Sequence, residues 1–424
     1  MAKRATTPKA GSAAPSHAPA SDGRAPAQGP RASAVGGAGG AGGVGGVGVV
    51  GELPTLGLDE LIGQDAAVGH LRRAMGSGRA HHAWVFYGPA GVGKRTAALA
   101  FARELLDARS PGGAPAGGPQ AEHARALLRA GSHPDLRLVV KELAAVCRDD
   151  ATRRSKQITL AKAVIEQFLL EPAALRRAID PPPGTATLAA KVFVVDQAEL
   201  IAPGVQNALL KTVEEPPPGT VIVLVTSEPH RLLVTLRSRC QLLAFGALSD
   251  EQMRAWFDRQ LRAGPPDAAW ARDAQWALSA ADGSPGAALV AMRQGLARWH
   301  QQLGPGIAAA LADRARSDLA LAATCAALID ERAKEAVEQS PQSSKDAANR
   351  AWAKRMLALL AWYGRAALAG GGADPARAVH LIELCRQAEL HIDASVQAAA
   401  ALDRLFSQWA TGSASAEPMG LIVG

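Results

Sequence analysis

Cysteine is scarce in this chain and never clustered. Cys147, Cys240, Cys325 and Cys385 lie far apart, with no C-x-x-C pair. That spacing excludes a readable zinc module or disulfide framework. No run of about 18 apolar residues occurs, which argues against a membrane span. The opening MAKRATTPKAGSAAPS is charged but lacks the apolar stretch of a signal peptide, so a reducing, cytosolic setting is the expectation. A decisive charge of one sign is missing too. The net charge is +7, and Lys3, Arg4, Lys9, Arg24 and Arg31 against Asp22 supply +4 of it within residues 1–50. The rest is nearly balanced, so overall basicity says little about nucleic acid.

The 424 residues suffice for two or three domains. Residues 1–50, almost entirely Ala, Gly, Pro, Ser and Val, have nothing large to bury and read as a disordered tail. From about Glu52 the texture changes. LDELIGQDAAVGHLRRAM reads as a loop feeding a helix, with Leu58, Leu61, Val68 and Leu71 near helical spacing. AWVFY, KVFVVD and VIVLVT are short apolar runs with helical stretches between them. That pattern predicts a parallel α/β sheet buried on both faces. Beyond about Phe245 strand signals stop, and residues 249–298 and 301–410 read as two helical regions. RMLALLAWYG and VHLIELCRQAEL are amphipathic candidates in the second. The last dozen residues look loose.

The strand AWVFY runs into GPAGVGKRT, Gly88 to Thr96. Gly88, Gly91, Gly93 and Lys94 fit a phosphate-cradling P-loop, in which backbone N–H groups and a helix N-terminus surround the anion. The next position should carry a hydroxyl for Mg²⁺, but Arg95 stands there, and a guanidinium cannot be a metal ligand. Thr96 is turned away by roughly 100° on a helix, so it is a poor substitute. The strand KVFVV ends at Asp196, where a metal-holding acid would sit and where a strand-end cap is the plainer reading. Gln197 follows it, and an amide cannot act as a general base. The pair of departures argues against hydrolysis, while the retained glycines and Lys94 leave open the binding of phosphate, as ATP or ADP, without turnover. His81 and His82 read as surface or packing residues, Trp352, Trp362 and Tyr363 as helical core, and Cys240 as a small buried residue.

LIGQ, GPAGVGK, NALLKTVEEPPPGT and LRSRC, in this order and spacing, resemble the bacterial clamp-loader branch of the AAA+ proteins over residues 53–250. The resemblance implies an AAA+ P-loop α/β domain (51–247), a small helical lid (248–300), an all-α collar through which subunits join (301–412) and a flexible end (413–424). Within that branch, Arg95, Gln197, GSHPDLRLV and GSPGAAL resemble the delta-prime pattern. Gly286 stands where the gamma/tau motor subunits carry a nucleotide-contacting arginine. The implied role is a non-hydrolysing scaffold beside gamma/tau and delta subunits in a ring of five, acting on a sliding clamp and primed DNA. Arg239, in the SRC triplet, would serve a neighbouring subunit as an arginine finger. Thr226 and Ser227 fall at the family's γ-phosphate-sensing position. The four-cysteine zinc module of many relatives is missing, so no zinc is predicted. An active gamma/tau-type motor and an unrelated P-loop enzyme are the alternatives.

Overall fold

The computed structural model describes residues 56–76, 80–154, 159–263, 268–313, 319–339, 344–370, 374–394 and 396–411. The tail at 1–50 and the end at 413–424 lie outside the described residues. Five strands form one sheet: β1 (Ala83–Tyr87), β2 (Leu136–Val139), β3 (Lys191–Val195), β4 (Thr220–Thr226) and β5 (Gln241–Ala244). Their order is β2-β3-β4-β1-β5, and every pairing is parallel. This is a parallel α/β domain with a P-loop after its first strand, followed among the described residues by helices alone.

Between their end residues the central strands are apolar because both faces are covered. Trp84 and Phe86 of β1, Val192 and Val194 of β3, and Val221, Val223 and Val225 of β4 face one core. There they pack against Ala97, Phe101 and Leu105 of α2 (Lys94–Leu106). The alternate residues Val85, Phe193, Val195, Ile222 and Leu224 face a second core. It is closed by Leu209 and Val213 of α7 (Pro203–Glu214) and by Phe168 and Leu169. The sequence pattern finds β1, β3 and β4 but not β2 or β5. Those two are the sheet edges, four residues each and half covered, so neither shows a continuous apolar run.

Helix α1 (Asp65–Gly76) precedes the sheet, and α3 (Pro119–Arg129) follows α2. Short helices α4 (Asp150–Arg154), α5 (Lys162–Ile165) and α6 (Glu171–Ala174) cross between β2 and β3, and α8 (Val234–Arg237) precedes β5. Then come α9 (Asp250–Ala263), α10 (Ala268–Ala280), α11 (Pro285–Arg293), α12 (Leu296–Ala312), α13 (Leu319–Gln339), α14 (Lys345–Gly370), α15 (Pro375–Asp393) and α16 (Ala398–Thr411). One buried cluster runs through these helices from Leu248 to Trp409. Trp352 and Tyr363 are buried in it, and Trp362 packs against it. Buried Arg377 of α15 ties three helices together. It donates to the carbonyls of Ala310 on α12 and Trp409 on α16, and lies 4.5 Å from the Trp409 ring centre. Among the described residues no helix is long and apolar enough to cross a membrane.

Candidate nucleotide site

Parallel strands deliver their carboxyl ends to one edge of the sheet, where ligands bind in open α/β folds. The register pairs Tyr87 with Thr226 and Val195 with Leu224. The P-loop after β1, Asp196 after β3 and Thr226–Ser227 at the end of β4 are therefore brought together. They line one cavity of about 520 Å³, an ordinary size for a small-molecule site. Its apolar wall includes Leu61, Ile62, Leu248, Trp256 and Leu289.

Gly88 opens the loop with φ +142°, and a side chain there would stand 2.1 Å from the Phe245 carbonyl oxygen. Gln64, the last residue of LIGQ, is buried and donates to the carbonyls of Val92 (3.2 Å) and Gly246 (2.9 Å). It fastens the loop to the segment leaving the sheet. Lys94 is 6 % exposed, and its Nζ donates to the carbonyls of Gly88 (2.7 Å) and Pro89 (2.6 Å). Burial lowers its pKa, opposed by the charges of Glu199 and Asp196.

Arg95 does more than displace a hydroxyl. Its Nη1 lies 3.3 Å from Asp196 Oδ2. The other carboxylate oxygen of Asp196 accepts from the Gln197 backbone N–H at 3.1 Å. Burial raises the Asp196 pKa and the Arg95 charge lowers it. A Mg²⁺ ion needs near-octahedral oxygen ligands at about 2.0–2.1 Å. Here the position after Lys94 carries no hydroxyl, Thr96 reaches the cavity only from the next position, both Asp196 carboxylate oxygens are engaged, and a cation already stands beside them. The residues present do not fit the metal. Gln197 adopts φ +53°, in the left-handed region that a non-glycine residue rarely enters, and its side chain is exposed.

Glu199, which the sequence pattern passes over, belongs to this cavity. Its Oε1 accepts from Ser227 Oγ at 3.0 Å, and its Oε2 has no partner among the described residues. Thr226 Oγ1 accepts from the Glu228 N–H at 3.0 Å, so the β4 end is held by its own turn. Arg239 stands apart and does not line the cavity. It follows α8, with Nε 2.6 Å from Glu214 Oε1 and Nη1 donating to the Thr235 carbonyl at 3.0 Å. Its side chain is 43 % exposed. Two motifs far apart in sequence, TVEEPPP and LRSRC, thus meet at one ion pair. The Cys240 thiol is pushed up to about 12 by burial, which makes it unreactive.

The helical region closes on the loop through glycine. Gly286 N–H donates to the Gly91 carbonyl at 2.9 Å, and Ser284 Oγ donates to the Ala90 carbonyl at 2.9 Å. A methyl on Gly286 would stand 2.7 Å from Gly91 Cα, a backbone atom that cannot rotate away. Gly286→Ala is therefore expected to destabilise the α11–loop contact by about 1–3 kcal/mol. A lowered thermal midpoint with unchanged secondary structure is the readout. An arginine there would have to lift α11 off the loop.

The sheet order, the P-loop and the cavity define the class: a parallel α/β P-loop fold with an altered metal side. Residues 63–249 match the family described as DNA polymerase III, delta subunit. Over that segment the chain is similar to clamp-loader subunits. It is similar to DNA polymerase III subunit delta' of Escherichia coli, 34% identical over 215 residues, or 50% of this chain and 55% of that one. Against subunit delta' of Pseudomonas aeruginosa it is 34% identical over 233 residues, 54% of this chain and 62% of the relative. Against subunit gamma/tau of Mycobacterium tuberculosis it is 31% identical over 202 residues, 47% of this chain and 30% of the relative. The chain thus spans less than two thirds of each of these relatives. The Thermotoga maritima RuvB Holliday junction branch migration motor aligns with TM-score 0.36 and 16% identity, covering 58% of this chain and 67% of that one. A likeness that slight carries no argument.

Proposed function

We propose that this chain is a non-hydrolysing scaffold subunit of a bacterial clamp loader, of the delta-prime type. Arg239 then completes the ATP site of an adjacent gamma/tau-type subunit, in a ring of five that also holds a delta subunit. The ring places a sliding clamp on primed DNA in the cytoplasm. The sheet domain (51–247) carries the finger, a lid (248–300) covers the degenerate site, and a collar (301–412) joins the ring. The observation that carries the reading is the Arg95–Asp196 contact, because it engages the acid that a hydrolysing site needs for its metal. The relatives named delta' support the choice of subunit.

A motor of the gamma/tau type is the second reading. Glu199 favours it, since a cavity-lining carboxylate with one free oxygen is what a missing general base requires. Steady-state ATP hydrolysis by the isolated chain separates the two. The scaffold reading expects no turnover above background, and none that depends on Lys94. Clear turnover abolished by Lys94→Ala assigns the motor instead.

A further inference from the structure

The metal does not fit this site, yet the site still asks for an anion. Lys94 is buried, and among the described residues no carboxylate lies within ion-pair distance of it. Glu199 and Asp196 act on it only from beyond that distance, and a buried cation with no carboxylate in direct contact is costly unless a ligand supplies the charge. Around it, no carbonyl or side chain among the described residues accepts from the amides of Val92, Gly93 and Lys94. The Arg95 side chain lines the same cavity and is 56 % exposed. Asp196 takes only Nη1 of its five-donor fork.

We propose that the cavity takes a nucleoside di- or triphosphate as the free anion, without a divalent cation, and that the Arg95 guanidinium stands in the ion's place. Mg²⁺ in a P-loop bridges phosphate oxygens and neutralises them. Arg95 offers the same positive charge as a planar fork suited to two phosphate oxygens. Asp196, which elsewhere would hold the ion, holds Arg95 instead. The apolar wall of Leu61, Ile62 and Trp256 leaves a surface for the base. Lid contact at Gly91 leaves the next three loop amides free. A Mg²⁺ ion entering with the nucleotide would have to displace a like-charged group from Asp196 and would still lack its hydroxyl ligand. The inference goes beyond the scaffold reading and does not depend on Arg239.

The test is ADP binding to the full chain, followed by calorimetry in excess Mg²⁺ and again in EDTA. The natural chain is expected to bind with the same Kd in both media, within about threefold. Arg95→Ser is expected to weaken binding in EDTA by about tenfold, the size of one charge-assisted hydrogen bond, and to recover affinity when Mg²⁺ is added. Arg95→Lys keeps the charge but loses the fork and should fall between. Arg95 is exposed, so circular dichroism and the thermal midpoint should be unchanged in both variants. Binding that requires Mg²⁺ in the natural chain overturns the proposal. So does failure to bind ADP in either medium, or an Arg95→Ser variant that binds normally in EDTA. Each of these outcomes leaves the finger reading standing, because that reading is tested by turnover in the assembled complex.

Discussion

Arg239→Ala is expected to leave the chain folded and assembled while slowing ATP turnover by about 10³-fold or more at the neighbouring site that we propose this arginine completes. The stability side of this expectation follows from the surroundings. Arg239 and Glu214 are 43 % and 42 % exposed, and a pair that open to water contributes little, at most about 1 kcal/mol. The catalytic side follows from the proposed placement. A guanidinium stabilises charge that develops on the transferring phosphoryl group, and only in the transition state. Arg239→Lys keeps a charge but not the planar fork, so it should recover only part of the lost rate. The measurement is DNA-stimulated ATPase of the reconstituted complex, with gel filtration to verify assembly. Unchanged turnover in an intact complex would show that Arg239 is not a finger. Loss of assembly would show that it is an interface residue instead.

The sheet and the site were legible to different depths, for physical reasons. A strand covered on both faces is apolar along most of its length, so AWVFY, KVFVV and VIVLVT declare themselves. Edge strands carry no such obligation. LRLV keeps Arg137 and QLLA keeps Gln241 because one side of each meets no neighbouring strand. In the site, the residues that sequence could name are those whose role is local. Gly88 and Lys94 act within one turn of chain. The Arg95–Asp196 contact joins residues 101 apart, and Gly286 reaches Gly91 across all the strands that follow the P-loop. Such contacts depend on strand order and register, which no periodicity encodes. Arg95 could be recognised as a lost ligand, but not as the partner of Asp196. Likewise Gly286 was readable as a missing arginine. Its backbone contact with the loop, which requires the absence of a side chain, emerges only from the fold.

Asp135→Ala is expected to cost about 3–5 kcal/mol, among the largest losses available to a single substitution in the sheet domain. Asp135 lies in GSHPDLRLV, just before β2, and is 4 % exposed. Its carboxylate accepts from the backbone N–H of Ala178 at 2.8 and 3.0 Å and of Ile179 at 3.0 Å. Those amides open the proline-rich segment that leads into β3, which has no ladder of its own to satisfy them. The carboxylate also helps keep buried Lys191 charged, against the desolvation that lowers its pKa. Lys191 Nζ in turn donates to the carbonyls of Pro172 and Leu175. Removing the carboxylate therefore leaves two half-buried donors unsatisfied and a buried ammonium without its nearest negative charge. Asp135→Asn keeps one acceptor oxygen and loses the charge, so it should cost less, about 1–3 kcal/mol. Urea denaturation followed by tryptophan fluorescence reads both, since Trp84 is fully buried in the sheet core. An unfolding free energy for Asp135→Ala within about 1 kcal/mol of that of the natural chain would mean the segment is anchored by its packing alone. The consequence reaches the nucleotide site, because β3 ends at Asp196. An anchor lost at the start of that strand loosens the acid that holds Arg95 at its end.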